Sequence, residues 1–577
     1  MAKSAAEVIV ETLVASGVKR IYGLPGDSLN GLTDAIRARS EIQWVHVRHE
    51  EVAAFAAGAE AHLTGDLVVC AGSCGPGNLH LINGLYDCHR SRVPVLAIAA
   101  QIPSAELGTG YFQETHPEIL FKDCSYFCEL VSDPENVPRI LGIAMRTAIT
   151  RRGVAVVVAP GDVLLGDCSG SVHAVSAIKL CDAGSVFHPC ETDLETAAEI
   201  LNAAGKVTIL GGAGCAGVHA ELMALAAHLK APIVHALRGK EYLEYDNPYD
   251  VGMTGLLGFS SGYYAMMNCD TLLMLGTDFP YTQFFPEKAK IIQVDVRGEQ
   301  IGRRTHVDLG LIGTVRDTVR ALMPKLKKKK DTKHLDVSVK HYAEARKGLE
   351  ELAVGEPGKT PIHPQYVAKL VDELASEDAV FTCDVGLPTV WAARYLRMNG
   401  RRSLIGSFVH GSMASALPQG IGAQAAYPGR QVIALAGDGG LAMSMGDLLT
   451  LRQMKLPVKI IVFNNSALGF VELEMKAAGF LDFGTNLVNP SFAEVGTACG
   501  LLGIRVEKPE ELRDALTQAF AHDGPVLVDV VVNRQELSLP PAIEFKQATG
   551  FGLYIMKAVM NGRADEVIDL AKTNLFR

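Results

Sequence analysis

The sequence lacks the features that mark several large classes of protein. Twelve cysteines are scattered over 577 residues without one Cys-x-x-Cys pair, which favours reduced thiols and a cytoplasmic protein. No apolar run reaches roughly 18 residues, so no transmembrane helix is predicted. The first residues lack a basic segment followed by an apolar core, and we expect no signal peptide. With a net charge of −10 and no extended basic face, a nucleic-acid partner is not expected.

The length predicts several domains, because one hydrophobic core rarely serves more than about 250 to 300 residues. Composition shifts indicate three α/β domains with doubly wound parallel sheets, followed by a C-terminal helical tail. The predicted limits are residues 1–180, 181–335, 336–532 and 533–577. A polar linker is expected over about residues 166–192.

A basic run, KLKKKKDTK at residues 325–333, lies near the end of the second predicted domain. Two interpretations are open. The run can be a solvated inter-domain helix or linker, or it can be a site for anionic lipid. We favour the first, because charge runs are usually solvated.

The most informative motif is a Gly-Asp-Gly triplet centred on Asp438 and followed by Asn465. Residues 431–436 (QVIALA) and 459–463 (KIIVF) are typical of buried strands, and residues 441–455 between them have helical spacing. Asp438 and Asn465 are therefore expected at the carboxyl ends of two parallel strands, where open α/β sheets bind ligands. A carboxylate and an amide oxygen suit Mg²⁺. The arrangement resembles the signature of thiamine-diphosphate enzymes.

Thiamine enzymes also need a carboxylate that protonates the pyrimidine ring of the cofactor. His49-Glu50-Glu51 follows a strand-like stretch, residues 42–47, and precedes an alanine-rich helical stretch, residues 52–61. The family's pattern places the acid directly after the histidine, which implies Glu50. Glu51 is expected to stabilise the helix start.

Three further glycine turns fit the same kind of site. GLPGD at residues 23–27 and GPGN at residues 75–78 each follow a strand-like stretch, although such turns are common. In VHGSM, Gly411 and Ser412 can approach a diphosphate. Met413 can hold the cofactor bent, or it can be ordinary core.

The resemblance extends over essentially the whole chain. HEEVAAFAAGAEA from His49, GYFQETHPE from Gly110, ALRGKE from Ala236 and FTCDVGLPTVWAARYL from Phe381 are similar to the bacterial pyruvate oxidase family. These thiamine-diphosphate flavoenzymes include the quinone-dependent pyruvate dehydrogenases. The resemblance implies pyrimidine-binding, FAD-binding and diphosphate-binding domains in that order, and thiamine diphosphate, Mg²⁺ and FAD as cofactors.

The second domain has its own dinucleotide signal, GxGxxG at residues 212–217. An NAD site would need an acid at the end of the next strand, but residues 233–237 run into Arg238, which weakens that interpretation. The resemblance implies FAD instead. Asp295, at the end of a strand-like stretch, would hydrogen-bond the ribose or adenine, or is an ordinary turn aspartate.

The resemblance assigns the individual site residues. Those implied to bind thiamine diphosphate are Glu50, Gly411, Ser412, Met413, Asp438, Gly439, Gly440, Asn465, Ser466, Ala467, Leu468, Gly469 and Phe470. Those implied to bind FAD are Thr254, Gly255, Leu256, Leu257, Thr277, Asp278, Phe279, Pro280, Tyr281 and Asp295. The implied metal ligands are Asp438, Asn465 and the carbonyl of Ala467. The implied catalytic residues are Glu50, Phe112, Gln113, Phe470 and Glu474, although Phe470 can equally be core packing.

The tail carries an apolar stripe at helical spacing after Pro540-Pro541. Its members are Phe551, Tyr554, Ile555, Ala558 and Val559. Such stripes usually pack on a core. The resemblance implies a lipid-binding terminus, with Phe551, Tyr554, Ile555 and Val559 contacting the membrane. We expect the tail to cover the active-site mouth at rest.

The implied reaction is oxidative decarboxylation of pyruvate to acetate and CO₂, with electrons passing through FAD to ubiquinone. The implied protein is a homo-oligomer, at least a dimer and by resemblance a tetramer, on the cytoplasmic face of the inner membrane. The alternative is a non-oxidative 2-oxo acid decarboxylase or an acetolactate-synthase-like carboligase with redox-silent FAD. A catalytically dead relative is disfavoured, because Glu50, Asp438 and Asn465 are all present.

Overall fold

The computed structural model describes residues 3–168, 186–536, 545–561 and 563–575. Most of the predicted linker and Pro540-Pro541 lie outside the described residues.

Three six-stranded sheets, parallel throughout, organise the chain. The strands are β1 Arg20–Gly23, β2 Gln43–His46, β3 Val68–Gly72, β4 Val95–Gln101, β5 Phe127–Leu130, β6 Val154–Pro160, β7 Val207–Gly211, β8 Ile233–His235, β9 Asp250–Met253, β10 Thr271–Leu275, β11 Lys290–Asp295, β12 Leu309–Ile312, β13 Val380–Cys383, β14 Ser403–Gly406, β15 Val432–Gly437, β16 Lys459–Asn464, β17 Leu502–Val506 and β18 Val526–Val531. The sheet orders are β2-β1-β3-β4-β6-β5, β12-β11-β10-β7-β8-β9 and β14-β13-β15-β16-β18-β17. We call the units around these sheets the first, middle and third domains, and the first and third together the outer domains.

Helices connect the strands and form the tail. They are α1 Ala5–Ala15, α2 Asn30–Arg37, α3 Glu50–Thr64, α4 Pro76–Ser91, α5 Pro117–Leu120, α6 Val137–Arg151, α7 Gly161–Leu165, α8 Glu191–Ala203, α9 His219–Leu229, α10 Lys240–Leu243, α11 Ser260–Met267, α12 Val315–Leu322, α13 Lys333–Leu352, α14 Pro364–Leu374, α15 Leu387–Tyr395, α16 Ala416–Ala426, α17 Asp438–Ser444, α18 Leu448–Met454, α19 Gly469–Ala477, α20 Phe492–Ala498, α21 Pro509–Ala521, α22 Phe545–Met560 and α23 Ala564–Leu575. Among the described residues, no helix is long and apolar enough to cross a bilayer.

Each sheet is covered on both faces, as the apolar strand sequences predict. In β3, Val68 and Cys70 pack into one core, whereas Val69 and Ala71 pack into another on the opposite face. The prediction of three doubly wound α/β domains is confirmed.

The outer domains share one core. One face of the first sheet and one face of the third belong to a single buried cluster, in which α3 packs against α16. The helices approach closely because their facing residues are small. A Cβ added at Gly422 would lie only 2.0 Å from the carbonyl oxygen of Ala56. A larger residue at Gly422 would therefore push the outer domains apart.

One predicted helix differs from the structure, and the structure decides between the helix and the linker that were both open for the basic run. The helix predicted over residues 441–455 begins earlier, at Asp438, and a 3₁₀ turn at Met445–Asp447 divides it into α17 and α18. The basic run is mostly not helical, since α13 begins only at Lys333. Lysine spacing alone carries no information about where that helix starts.

Candidate active site between the outer domains

The predicted magnesium site lies at the carboxyl ends of β15 and β16, which are neighbours in the third sheet. Asp438 directly follows β15, and its Oδ1 accepts a hydrogen bond from the backbone N–H of Gly439 at 2.9 Å. The backbone amides of Ser466 and Ala467 also stabilise this carboxylate. The structure therefore brings Asp438 against the loop that follows β16.

Two amide side chains lie beside this carboxylate, Asn465 from the same loop and Asn489 from a later one. Asn465 Oδ1 accepts from the N–H of Ala467 at 3.1 Å, while Asn489 Nδ2 donates to Asp438 Oδ2 at 2.9 Å. Burial raises the pKa of Asp438, and the surrounding N–H groups oppose that rise. A divalent cation here would offset the cost of burying this carboxylate. The donor set thus fits Mg²⁺ held by Asp438, Asn465 and the Ala467 carbonyl.

The glycines of the motif allow close approach of other groups. A Cβ at Gly439 would come within 2.9 Å of Leu468 and 3.3 Å of Met413, and one at Gly440 would lie 2.2 Å from Asp384 Oδ2. Met413 therefore lies beside the predicted diphosphate site. The neighbouring Gly411 is exposed and has a φ of 87°, and a Cβ added there would meet nothing within 4 Å. Ser412 and Met413 are half-buried.

In the first domain, Glu50 is the first residue of α3 and is only 4% exposed. Its Oε2 lies 2.9 Å from His80 Nδ1, and its Oε1 lies 3.0 Å from the position of a Cβ on Gly77, in the predicted GPGN turn. The ring of His49 stacks on His80 with centroids 4.3 Å apart. Because His49 Nδ1 also accepts from the Glu51 backbone N–H at 3.3 Å, it caps α3 and holds Glu50 facing His80.

Asn83 of α4 connects the two halves of the site. Its Nδ2 lies 2.8 Å from Glu51 Oε1 and 3.0 Å from Ser412 Oγ, and its Oδ1 lies 2.8 Å from His410 Nε2. The segment containing Gly411 thus lies against the first domain within one chain. Two motifs that the sequence places in different domains, the one after His49 and the one at Gly411, therefore meet at one inter-domain edge.

The predicted substrate-side residues are divided between two places. Phe470 and Glu474 lie on α19, where Phe470 packs on the core of the third domain and Glu474 is exposed. In the first domain, Phe112 is 78% exposed, while Gln113 has a φ of 63° and accepts a hydrogen bond from Cys74 Sγ at 3.4 Å. Phe112 is thus open to solvent, while Gln113 lies against the GPGN turn, where a Cβ on Gly75 would be 2.8 Å from Gln113 Cβ.

The predicted FAD residues gather at the carboxyl edge of the middle sheet. Loops after β9, β10 and β11 supply them, and the order of that sheet reverses between β7 and β10, where such folds bind dinucleotides. The buried ones are Thr254, Gly255, Thr277, Phe279 and Asp295. Those that are half-buried are Leu256, Leu257 and Asp278, and those that are exposed are Pro280 and Tyr281.

Three buried polar atoms at this edge have no hydrogen-bond partner among the described residues. They are Thr254 Oγ1, Arg92 Nε and Arg297 Nε, of which the last lies 3.5 Å from Asp295 Oδ1 as an ion pair. Arg92, from the first domain, acts electrostatically on Asp295, whose pKa is raised by burial. Unpaired buried polar atoms are costly, so a polar ligand would stabilise this edge. These residues fit the ribose and phosphates of a dinucleotide.

Sequence reasoning missed several residues that shape the site. They are His80, Asn83, Asp384 and Asn489. A signal was available for Asp384, because it directly follows a buried strand, β13, and its Oδ2 accepts from the Gly437 N–H at 3.1 Å. For Asn489, in a loop far along the chain from Asp438, no local pattern indicated a role.

Comparison with known proteins identifies the family of the chain. Residues 3–119 match the N-terminal thiamine pyrophosphate binding domain of thiamine pyrophosphate enzymes, residues 194–322 match their central domain, and residues 384–530 match their C-terminal thiamine pyrophosphate binding domain. The chain belongs to this family of thiamine-diphosphate-dependent enzymes, for which Mg²⁺ is typical.

Individual relatives cover nearly the whole chain. It is 38% identical over 572 residues, 99% of both chains, to a putative thiamine pyrophosphate-containing protein of Bacillus subtilis. It is 31% identical over 540 residues to pyruvate oxidase of Lactiplantibacillus plantarum, covering 92% of this chain and 88% of that one. It is 29% identical over 554 residues, 92% of both chains, to a probable acetolactate synthase large subunit of Methanocaldococcus jannaschii.

Proposed function

We propose that the protein oxidatively decarboxylates pyruvate to acetate and CO₂ and passes the electrons through FAD to ubiquinone at a membrane surface. Bound thiamine diphosphate supplies the carbanion chemistry and FAD accepts electrons. In this chain, Glu50 would hold the proton at the pyrimidine ring, paired with His80. Asp438, Asn465 and the Ala467 carbonyl would hold Mg²⁺ and orient the diphosphate.

The observation that carries the proposal is the proximity of α19 to the predicted flavin loops. Partial burial raises the pKa of the Tyr281 hydroxyl, and the charge of nearby Glu474 adds to that rise. Phe470 and Leu257 pack against the same apolar core, and Arg394 Nε of α15 donates to the Leu257 carbonyl at 3.2 Å. Adjacent cofactor sites are what electron transfer from one to the other requires.

The pyruvate oxidase relative supports this reaction, whereas the acetolactate synthase relative supports the alternative of a decarboxylase or carboligase with redox-silent flavin. Anaerobic mixing of the FAD- and thiamine-diphosphate-loaded protein with pyruvate separates the two. We expect the flavin absorbance to bleach within the time of turnover. Consumption of pyruvate with the flavin still oxidised would establish the alternative. Phe112 and Gln113 would line the substrate side of the same site as Glu50, because Gln113 lies beside the turn that approaches Glu50.

The tail supports a membrane-bound acceptor. Helix α22 docks on α19 and the loop after it, and the approach is so close that a Cβ on Gly550 would lie 2.0 Å from the Ala477 carbonyl oxygen. Lys557 Nζ donates to the Gly479 carbonyl at 2.7 Å, and Arg563 pairs with Asp482. The tail thus covers the helix that carries Phe470 and Glu474.

The predicted apolar stripe divides into two faces. Tyr554 and Ala558 are fully buried against Leu570 and the loop after α19, with Phe551 partly buried beside them. By contrast, Ile555 and Val559 are exposed. The exposed apolar face is continued by Met556, Met560 and Ile568. In this docked state only part of the stripe is available to lipid, so full membrane contact would require α22 to leave α19.

Deletion of residues 553–577 tests the tail. We expect the truncated protein to lose pyruvate-dependent cosedimentation with liposomes while keeping its activity with a soluble electron acceptor. The double variant Ile555→Ser/Val559→Ser tests the exposed face of the tail by itself, because it leaves the docking contacts of Tyr554 in place. Equal lipid binding by full-length and truncated protein would show that the membrane contact lies elsewhere.

A further inference from the structure

The basic run after the middle domain is held in a fixed conformation. Lys327 N–H donates to Asn202 Oδ1 at 2.7 Å, and Asn202 Nδ2 donates in return to the Lys325 carbonyl at 3.1 Å. Further along, the Lys329 N–H donates to the His228 carbonyl at 2.9 Å. These bonds attach the run to the ends of α8 and α9. It is therefore an ordered edge of the middle domain and not a loose linker.

The run has inward and outward residues. Leu326 is buried in the core of the middle domain, and Lys329 Nζ donates to the Ala204 carbonyl at the end of α8. The outward residues are Lys327, Lys328, Lys330 and Lys333, which we call the lysine ridge, and all four are exposed. Their ammonium groups form no ion pair within the described part of the chain.

Neighbouring acids neutralise only part of this charge. Glu191 pairs with Lys325, and Asp270 lies near Lys329, so both act on lysines that are not in the ridge. Asp331 and Asp336 lie at the start of α13 and offset two of the ridge charges. Lys206, also exposed, adds a positive charge near the same end of α13. A net positive surface therefore remains on a chain whose total charge is −10.

We propose that the lysine ridge is an electrostatic docking surface for anionic phospholipid, and that it brings the oxidised enzyme to the membrane before its tail is released. Lysines are flexible point charges that suit a diffuse negative surface, whereas recognition of a single phosphate favours the rigid fork of arginine. A local positive surface attracts a protein of net negative charge to an anionic bilayer. The inference rests on the proposed membrane-bound acceptor.

The ridge and the tail would then act at different stages. The ridge is exposed whatever the state of the flavin, so its contribution is independent of pyruvate and weakens with salt. The apolar tail contributes after release from α19, and its contribution is much less sensitive to salt. This division makes the two contributions separable by experiment.

The test is cosedimentation of the full-length, cofactor-loaded, oxidised protein with vesicles of phosphatidylcholine containing 30% phosphatidylglycerol, chosen as a probe of roughly bacterial charge. The variant is Lys327→Gln/Lys328→Gln/Lys330→Gln. We expect it to bind about a hundredfold more weakly than the parent at low salt, from about 1 kcal/mol per lysine near such a surface. Added salt should reduce parent binding toward the same level.

The matched control is Lys122→Gln/Lys288→Gln/Lys347→Gln, which removes the same charge from three separate exposed positions. It should lose much less affinity than the ridge variant. Equal losses in the two variants, or equal parent binding to pure phosphatidylcholine, would overturn the proposal. So would ridge-dependent binding to RNA or inorganic polyphosphate without binding to the vesicles. Failure of pyruvate to bleach the flavin would refute the proposed reaction but leave this binding result intact.

Discussion

The outer domains share a sheet order that the middle domain lacks. Counted within each domain, both outer sheets run 2-1-3-4-6-5, whereas the middle sheet runs 6-5-4-1-2-3. The outer pair packs face to face through α3 and α16 and forms one core. The middle domain has its own cores and its own cleft, at the reversal between β7 and β10. The fold used twice brings strand-end motifs of two domains together, while the other fold keeps its strand-end loops within one domain.

Each outer domain donates a hydrogen bond to a buried acid of the other. After the second strand of the first domain, the Arg48 N–H donates to Asp447 Oδ1 of the third domain at 2.8 Å. After the second strand of the third domain, Ser407 Oγ donates to Asp87 Oδ1 of the first domain at 2.8 Å. Both acids are buried, and burial raises the pKa of each. The chemistry is nevertheless unequal, because Glu50 lies in one domain and Asp438 in the other.

The largest expected effect comes from Glu50. Changing Glu50→Gln should slow turnover about 10²- to 10⁴-fold, because it removes a proton-transfer group while keeping the size of the side chain. Glu51→Gln is the control on the same helical turn, and its amide oxygen can still accept from Asn83. Steady-state rates at saturating cofactor compare the two. Similar losses in both variants would mean that the proton is held elsewhere.

The next effect separates the outer site from the middle one. Asp438→Ala should weaken Mg²⁺-dependent binding of thiamine diphosphate by about 100-fold or more, since it removes a charged metal ligand. Flavin content should not change, because the proposed flavin site is in the middle domain. Calorimetry with and without Mg²⁺ measures the affinity, and Asp514→Ala, an exposed acid of α21, is the control. Unchanged affinity would remove Asp438 from the metal site.

A substitution in the middle domain should have the converse effect. A Cβ at Gly214 would lie 2.7 Å from the Cα of Gly276, where two backbones meet at the cleft, so Gly214→Ala forces them apart. We expect a loss of about 1–3 kcal/mol in stability and weaker flavin retention, with thiamine diphosphate binding unchanged. Gly348→Ala in α13, where a Cβ meets nothing within 4 Å, is the control and should be neutral or stabilising. Thermal unfolding and flavin release measure both.

The smallest effect concerns Asp87 and Asp447, the two buried acids at the contacts between the outer domains. Burial raises the pKa of Asp87 from 3.8 to about 6, so the folded state binds this proton more tightly than the unfolded state. Stability should therefore fall as the pH rises from about 4 to about 6, by at most about 3 kcal/mol. Asp87→Asn should remove this dependence, because an amide does not titrate in this range. The contact can be kept, since Gln419 can turn its unpaired Oε1 toward the new amide.

Asp447→Asn should flatten the same pH profile, since its pKa is raised by the same cause. Denaturant unfolding between pH 4 and 7 compares the two variants with the parent. A change in only one of them would show that the two inter-domain contacts are not equivalent. A steeper profile in either variant would contradict the sign of the argument.

Much of the fold could be predicted from local sequence. Buried parallel strands are apolar on both faces, so QVIALA and KIIVF were assigned to strands that the structure confirms as β15 and β16. Because strand ends of one sheet share an edge, the proximity of Asp438 to the loop at Asn465 followed from the same pattern. The break between α17 and α18 was missed, since nothing in the helical spacing of that segment indicates a 3₁₀ turn.

By itself the sequence predicted which residues would carry the chemistry, since residue type and strand-end position are local properties of Glu50, Asp438 and Asp295. Only the tertiary structure decided what surrounds them. His80 reaches Glu50 across 30 residues and Asn489 reaches Asp438 across 51. The division of the tail stripe between Tyr554, buried, and Val559, exposed, depends on where α19 lies. Such contacts join segments with no common period, and they follow from how preformed surfaces pack together.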